Sequence, residues 1–216
     1  MKNYIIFVNG TYRTEHLAFY RRLCRSRVKV AADGGMKFFA KARLAPDILI
    51  GDLDSLPAAT RPLVKQSQVI SFPARKNKTD LQLALEYCLE SRAAGIDIVV
   101  PNCGRPDHFM GNVMLVHLVD RLRRRSSLPL IRFLDQRHEI TFVHDGQVRF
   151  VGRSGEIVSV IPLSHRIRLT CRGTEFDVSN TSIRRGDTRG ISNRICAHRA
   201  VFKVEGNALV VCCRRR

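Results

Sequence analysis

The sequence predicts an α/β domain on a mainly parallel sheet, followed by a small all-β sandwich domain. Three observations carry this reading. Apolar runs of strand length alternate with helical apolar spacing through the first part of the chain. Helical periodicity stops near Ser126–Pro129. Beyond that point short strand-like stretches recur between turn signals. The boundary is placed after residue 127, giving domains 1–127 and 128–216.

The first domain opens with strand Tyr4–Val8, which ends at Asn9-Gly10. Glu15–Cys24 reads as a helix with Leu17, Tyr20 and Cys24 on one face. Val28–Ala32 is the second strand and Met36–Arg43 a short helix. Asp47–Ile50 and Val69–Phe72 are further strands. Thr79–Arg92 is a helix with Leu81, Ala84, Leu85 and Cys88 at i, i+3, i+4 and i+7. Strand Ile96–Val100 and a long helix Asp107–Arg123 complete this part. The second domain reads as strands Leu130–Leu134, Glu139–Val143, Gln147–Val151, Ile157–Ile161, Arg166–Thr170, Arg199–Val204 and Ala208–Cys212. Asp145-Gly146, Ser154-Gly155 and Glu205-Gly206-Asn207 are read as the turns between them.

Composition narrows the class. Of 216 residues, 44% are hydrophobic and 26% charged, which suits a chain that folds throughout. No apolar run approaches the roughly 20 residues that span a bilayer. Met1-Lys2-Asn3 leads directly into a strand, so the expectation is a cytoplasmic protein without membrane contact. Seven scattered cysteines read as reduced thiols. The net charge of +18 fits nucleic acid, polyphosphate or a generally basic surface. Runs such as Arg121–Arg125 and Arg214–Arg216 are read as solvated faces and tails.

Chemistry concentrates at the carboxyl ends of the strands, where open α/β sheets bind ligands. Strand two ends in Asp33-Gly34-Gly35, and strand three in Gly51-Asp52-Leu53-Asp54-Ser55. Strand five ends in Asn102-Cys103-Gly104-Arg105-Pro106-Asp107-His108, and Lys76-Asn77-Lys78-Thr79-Asp80 opens a helix. Carboxylates gathered at one crevice repel unless a cation lies between them. Mg²⁺ takes oxygen ligands from a few carboxylates together with substrate phosphates. The pattern points to phosphoryl-type chemistry. Each piece also has a plain structural reading: Thr79-x-x-Gln82 is a capping box and Asp107 a helix cap.

Taken in order, Ala32-Asp33-Gly34-Gly35, Pro46-Asp47, Gly51-Asp52-Leu53-Asp54-Ser55, Lys76-x-x-Thr79-Asp80, Gly104-Arg105-x-Asp107-His108 with Asn112, and Gly190-Ile191-Ser192-Asn193 resemble the thiamine pyrophosphokinase family. The resemblance spans nearly the whole chain, including the change from α/β to all-β. It implies transfer of diphosphate from ATP to the hydroxyl of thiamine, with Mg²⁺ on Asp52, Asp54 and Asp80. It places Asp33, Gly34, Lys76, Thr79 and Arg105 around the nucleotide. Arg105, Asp107 and Asp80 are its catalytic candidates, with Asp107 also at the attacking hydroxyl. Ser192 and Asn193 would contact thiamine from the β domain, across a homodimer interface. Three positions depart from the pattern: Asn77 replaces a usual Asp, Cys103 replaces a usual Gly, and the chain has no Trp to stack on thiamine. Phe176 and Phe202 are the candidate aromatic substitutes. Two other readings stand beside this one. The first is diphosphate transfer to another hydroxymethyl heterocycle such as a pterin alcohol. The second is a basic nucleic-acid-binding protein on a degenerate enzyme scaffold, which the retained aspartates oppose.

Overall fold

The computed structural model describes residues 1–52, 60–101, 105–122 and 129–215, with backbone alone at 120–122. The chain divides into two units, Met1–Gln136 and Arg137–Arg216.

The first unit contains strands β1 (Asn3–Phe7), β2 (Val28–Ala32), β3 (Ile48–Gly51), β4 (Gln68–Ser71), β5 (Gly95–Val99) and β6 (Leu130–Leu134). They form parallel ladders in the order β4-β3-β2-β1-β5-β6. The chain reverses its direction of travel across the sheet between β1 and β5, the kind of point where such folds open a crevice. Ile5, Ile6 and Phe7 of β1 are fully buried, as expected of a parallel sheet covered on both faces. The helices are α1 (Leu17–Leu23), α2 (Met36–Ala42), α3 (Arg61–Val64), α4 (Asp80–Glu90), α5 (Pro106–Met114) and α6 (Val116–Leu122). The apolar stripe expected of α4 is buried at Leu81, Ala84, Leu85 and Cys88.

Two expectations for this unit change. The helix read as Asp107–Arg123 breaks at Leu115 into α5 and α6. Gly111 and Asn112, weak helix formers, precede the break. Leu130–Leu134, read as the first strand of the all-β domain, instead completes the parallel sheet. It pairs from Leu130↔Gly95 to Leu134↔Val99. Its one basic residue has a partner in that sheet: Arg132 donates two hydrogen bonds to Asp97, at 2.8 and 3.0 Å. Arg27 approaches the same carboxylate at 3.0 Å. Asp97 is 3% exposed, and two guanidinium groups supply the compensation that a buried carboxylate needs.

The second unit contains β7 (His138–Val151), β8 (Ile157–Pro162), β9 (Arg166–Arg172), β10 (Val178–Arg184), β11 (Asn193–Arg194) and β12 (Arg199–Cys213). All its ladders are antiparallel. β12 pairs with β7 along its length. Its first half also pairs with β9, and its second half with β8. The β7–β12 ribbon thus belongs to both layers of a sandwich. Val158, Val160, Leu169, Phe202 and Val210 fill the space between them.

The expected turns at Asp145-Gly146 and Glu205-Gly206-Asn207 are not turns. They face each other inside β7 and β12, where the ladder register shifts between Val204 and Asn207. Gly206 has φ +96° and Asp145 φ +43°. The Gly206 amide donates to Asp145 Oδ1 at 2.7 Å. Turn-forming residues here bend two strands together instead of reversing the chain. Strands β10 and β11 were not anticipated.

Among the described residues, no helix is long and apolar enough to cross a membrane. Six cysteines, Cys24, Cys88, Cys171, Cys196, Cys212 and Cys213, are free thiols.

Candidate active site

The carboxyl ends of β1, β2 and β3 meet because glycine lets them. A Cβ on Gly35 would collide with the Phe7 carbonyl oxygen, so only glycine seats the start of α2 against β1. Asn9, which follows β1, lies against Gly34 and accepts a hydrogen bond from Lys37 Nζ at 2.9 Å. A Cβ on Gly51 would stand 3.0 Å from the Asp33 Cβ, which places the ends of β2 and β3 in contact. Asp33 itself has φ +40°, a region non-glycine residues occupy sparingly and often at functional sites.

Lys76 ties these ends to α4. Its Nζ lies 2.8 Å from Asp80 Oδ1. The ammonium is held above its ordinary range, first by Asp80 and then by the charges of Asp52 and Asp33. Three of the aspartates singled out from the sequence therefore act on one cation. Asp80 Oδ1 is shielded from solvent and faces the Lys76 ammonium. A carboxylate oxygen already turned toward a cation suits a metal ligand. Among the described residues, no three acidic, His or Cys groups are close enough to hold an ion by themselves. Asp54, expected as the third metal ligand, lies outside the described residues, as do Leu53, Ser55 and Asn102-Cys103-Gly104.

Thr79 is the N-cap of α4: its Oγ1 accepts from the Gln82 amide at 3.2 Å. The Gln82 side chain donates to Glu86 instead of returning to Thr79, so the expected capping box is half formed. Asn77 is exposed.

At the start of α5, Arg105 grips Asp107 with two hydrogen bonds, at 3.1 and 2.6 Å. Both side chains are mostly exposed. The Arg105 guanidinium holds the Asp107 carboxyl down at about 2.

Ser192 and Asn193 sit in the second unit, on the wall of a pocket of about 610 Å³. Its floor is apolar, with Val158, Val160, Leu169 and Phe202, and its rim carries Glu175, Asp177 and Arg189. Ser192 has φ +62°, and its amide donates to Ser159 Oγ at 3.0 Å. The Asn193 amide is engaged at both ends. Its Oδ1 accepts from the Phe176 and Arg194 amides, while its Nδ2 donates to Thr174 Oγ1 and the Phe176 carbonyl. Asn193 thereby fixes the loop that presents Phe176, which is 65% exposed at the pocket. Phe202, the other aromatic candidate, is core. Sequence reasoning missed Thr174 and Asp177, which brace this loop through hydrogen bonds of 2.9 Å from Thr174 N and Oγ1 to Asp177 Oδ1. Ser/Thr and Asp spaced three apart gave a local signal for such a turn.

Comparison with known proteins follows this division of the chain. Residues 19–127 match the family model for the thiamin pyrophosphokinase catalytic domain. Residues 137–209 match that for the thiamin pyrophosphokinase vitamin B1 binding domain.

The chain belongs to the thiamine pyrophosphokinase family.

Relatives agree with this assignment. The thiamine pyrophosphokinase of Bacillus subtilis is 28% identical over 84% of this chain and 85% of its own. Thiamine pyrophosphokinase 3 of rice is 26% identical over 85% of this chain and 77% of its own. Among solved structures, a B. subtilis thiamine pyrophosphokinase superposes with a TM-score of 0.81 at 25% identity, covering all of both chains. One from Geobacillus thermodenitrificans gives 0.76 at 28% identity, covering 100% of this chain and 98% of its own. As a member of the thiamine pyrophosphokinase family, the chain is a diphosphate-transferring enzyme.

Proposed function

We propose that this chain catalyses attack of the thiamine hydroxyl on the β-phosphorus of ATP, releasing thiamine diphosphate and AMP. The observation that carries the site assignment is the convergence of Asp33, Asp52 and Asp80 on Lys76. An acidic crevice with one internal cation is arranged to receive a polyphosphate together with a divalent ion. Asp52, Asp80 and Asp54 are the residues proposed to hold Mg²⁺, which would neutralise charge on the triphosphate. Lys76 remains charged at neutral pH and offers its ammonium to the phosphates. Gly34 lets backbone approach them closely. Thr79 sets the start of α4, whose first turn carries Asp80.

Arg105 supplies a planar fork for the transferred group. In the described state that fork is occupied by Asp107, so arriving phosphate oxygens must displace the carboxylate. Freed from Arg105, Asp107 turns to the thiamine hydroxyl. Even released, a carboxylate with an ordinary value of 3.8 is a poor base at neutral pH and a good acceptor, so its role is orientation.

The pocket of the second unit is the proposed thiamine site, with Ser192 at its wall and Phe176 offering a ring face at its mouth. Asn193 acts through the loop it fixes. Because the family resemblance shares this site between subunits, the working enzyme is proposed to be a homodimer. The free cysteines fit a reducing compartment, and the proposed location is the cytoplasm.

AMP release from ATP, Mg²⁺ and thiamine tests the reading. Asp80→Asn should lower turnover by about 100-fold or more, with melting little changed, because the carboxylate is placed for substrate charge. Near-normal turnover in that variant would defeat the metal assignment.

A further inference from the structure

The sandwich places seven of the chain's 37 lysines and arginines on one sheet face. Directly opposed residues on paired strands share a face, so the ladders fix which cations lie together. On β9, Arg166, Arg168 and Arg172 alternate with buried Ile167, Leu169 and Cys171. Arg166 stands opposite Arg184 of β10. Arg172 stands opposite Val201 of β12, and Val201 opposite Arg149 of β7. Lys203 and Arg199 of β12 belong to the same face, as does Glu205. The six arginines and the lysine are exposed.

One carboxylate answers them. Glu205 reaches Lys203 at 3.8 Å. Arg168 donates to Asn180 Oδ1 at 3.3 Å, and Arg172 to the carbonyls of Cys171 and Val178. Among the described residues, the Arg149, Arg166, Arg184 and Arg199 side chains meet no carboxylate. Like charges directly across a ladder destabilise a sheet, so the Arg166–Arg184 pair is a cost that the fold alone does not require. The face lies apart from the pocket lining, which uses the opposite side chains of the same strands.

We infer that this face binds the phosphate backbone of a duplex nucleic acid without regard to sequence. Six of its seven cations are arginine, whose fork matches phosphate oxygens. Cations two residues apart on a strand are about 7 Å apart, and neighbouring strands about 4.8 Å, a two-dimensional array suited to two phosphate strands. The face carries no exposed aromatic ring on which single-stranded bases would stack. Its apolar side chains, Val151 and Val201, are short, and give little to insert into a lipid layer.

The test is fluorescence anisotropy of the full chain with a labelled duplex of about 20 base pairs, across roughly 50 to 200 mM salt. With six net charges on the face, log K should fall against log salt with a slope of about −5. Arg166→Ser with Arg184→Ser should flatten that slope by about 2. It should leave thiamine turnover unchanged and melting equal or higher, since a repulsive pair is removed. Arg21→Ser with Arg22→Ser removes the same charge from α1 and should leave the slope unaltered. Three outcomes overturn the inference: no binding, an equal loss in both double variants, or equal binding to phosphatidylserine vesicles with the same dependence on Arg166 and Arg184. The last would make the face a membrane contact.

Discussion

Arg105 and Asp107 sit two residues apart at the start of α5, and each occupies the other. Asp107 is held at about 2, below its ordinary 3.8, by Arg105. For a depressed carboxyl, any stabilisation from the pair is present above 3.8 and lost as pH falls through about 2. Asp107 therefore stays ionised across the working range, paired or released, since its ordinary value is 3.8, and it should give turnover no acid limb above about pH 5. Arg105→Gln should reduce turnover by about 100-fold through loss of a phosphate donor, with the profile between pH 5 and 8 keeping its shape. An Asp107-dependent limb near neutrality would show that the carboxyl titrates as a base. Asn193 teaches a related point. The family resemblance puts it on thiamine, yet its amide already braces the Phe176 loop. Asn193→Ala leaves the Thr174 hydroxyl and both Phe176 backbone groups without these partners. It should cost about 1–3 kcal/mol of stability and raise KM for thiamine more than it lowers kcat.

At the scale of elements, strands with one environment were legible and strands with two were not. Val28–Ala32 is found at its expected bounds, because a run buried on both faces has a plain signature. The strand-end aspartates were legible for the same reason: each closes an unmistakable apolar run. Leu130–Leu134 carries the same signature, but its place past Ser126–Pro129 assigned it to the wrong unit. β10, Val-Ser-Asn-Thr-Ser-Ile-Arg, is mostly polar and partly edge-like, so alternation had little to report. The Asp-Gly and Glu-Gly-Asn signals were real but ambiguous, since bulges and turns need the same φ > 0 residues. Gly206 is where this matters energetically. At φ +96°, a side chain would also meet the Arg166 carbonyl and Ile167 Cγ2, both at 3.3 Å. Gly206→Ala should therefore cost about 1–2 kcal/mol, a drop of about 2–8 °C in melting temperature for a chain of this size. An unchanged Tm would mean that the β7–β12 bend is held without its glycine.

At the scale of the whole molecule, the chemistry is divided. The acidic strand-end cluster belongs to the first unit and the proposed thiamine pocket to the second, and each unit has its own core. The proposed homodimer joins the crevice of one subunit to the pocket of its partner, which makes a sharp demand on mixed dimers. Asp80→Asn disables the crevice. Ile191→Arg, at an exposed position lining the pocket, places positive charge and bulk where cationic thiamine must enter. Each variant alone should be nearly inactive. In a mixed dimer with two-fold symmetry, one shared site carries both substitutions and the other carries neither. Random pairing of equal amounts makes about half the dimers mixed, each with one intact site. Co-expression should then restore about a quarter of wild-type turnover, measured as AMP release per dimer. If crevice and pocket come instead from the same chain, every site in every dimer keeps one defect. Co-expression would then give no more turnover than the separate variants, and the shared site would be refuted while the diphosphate-transfer reading stood.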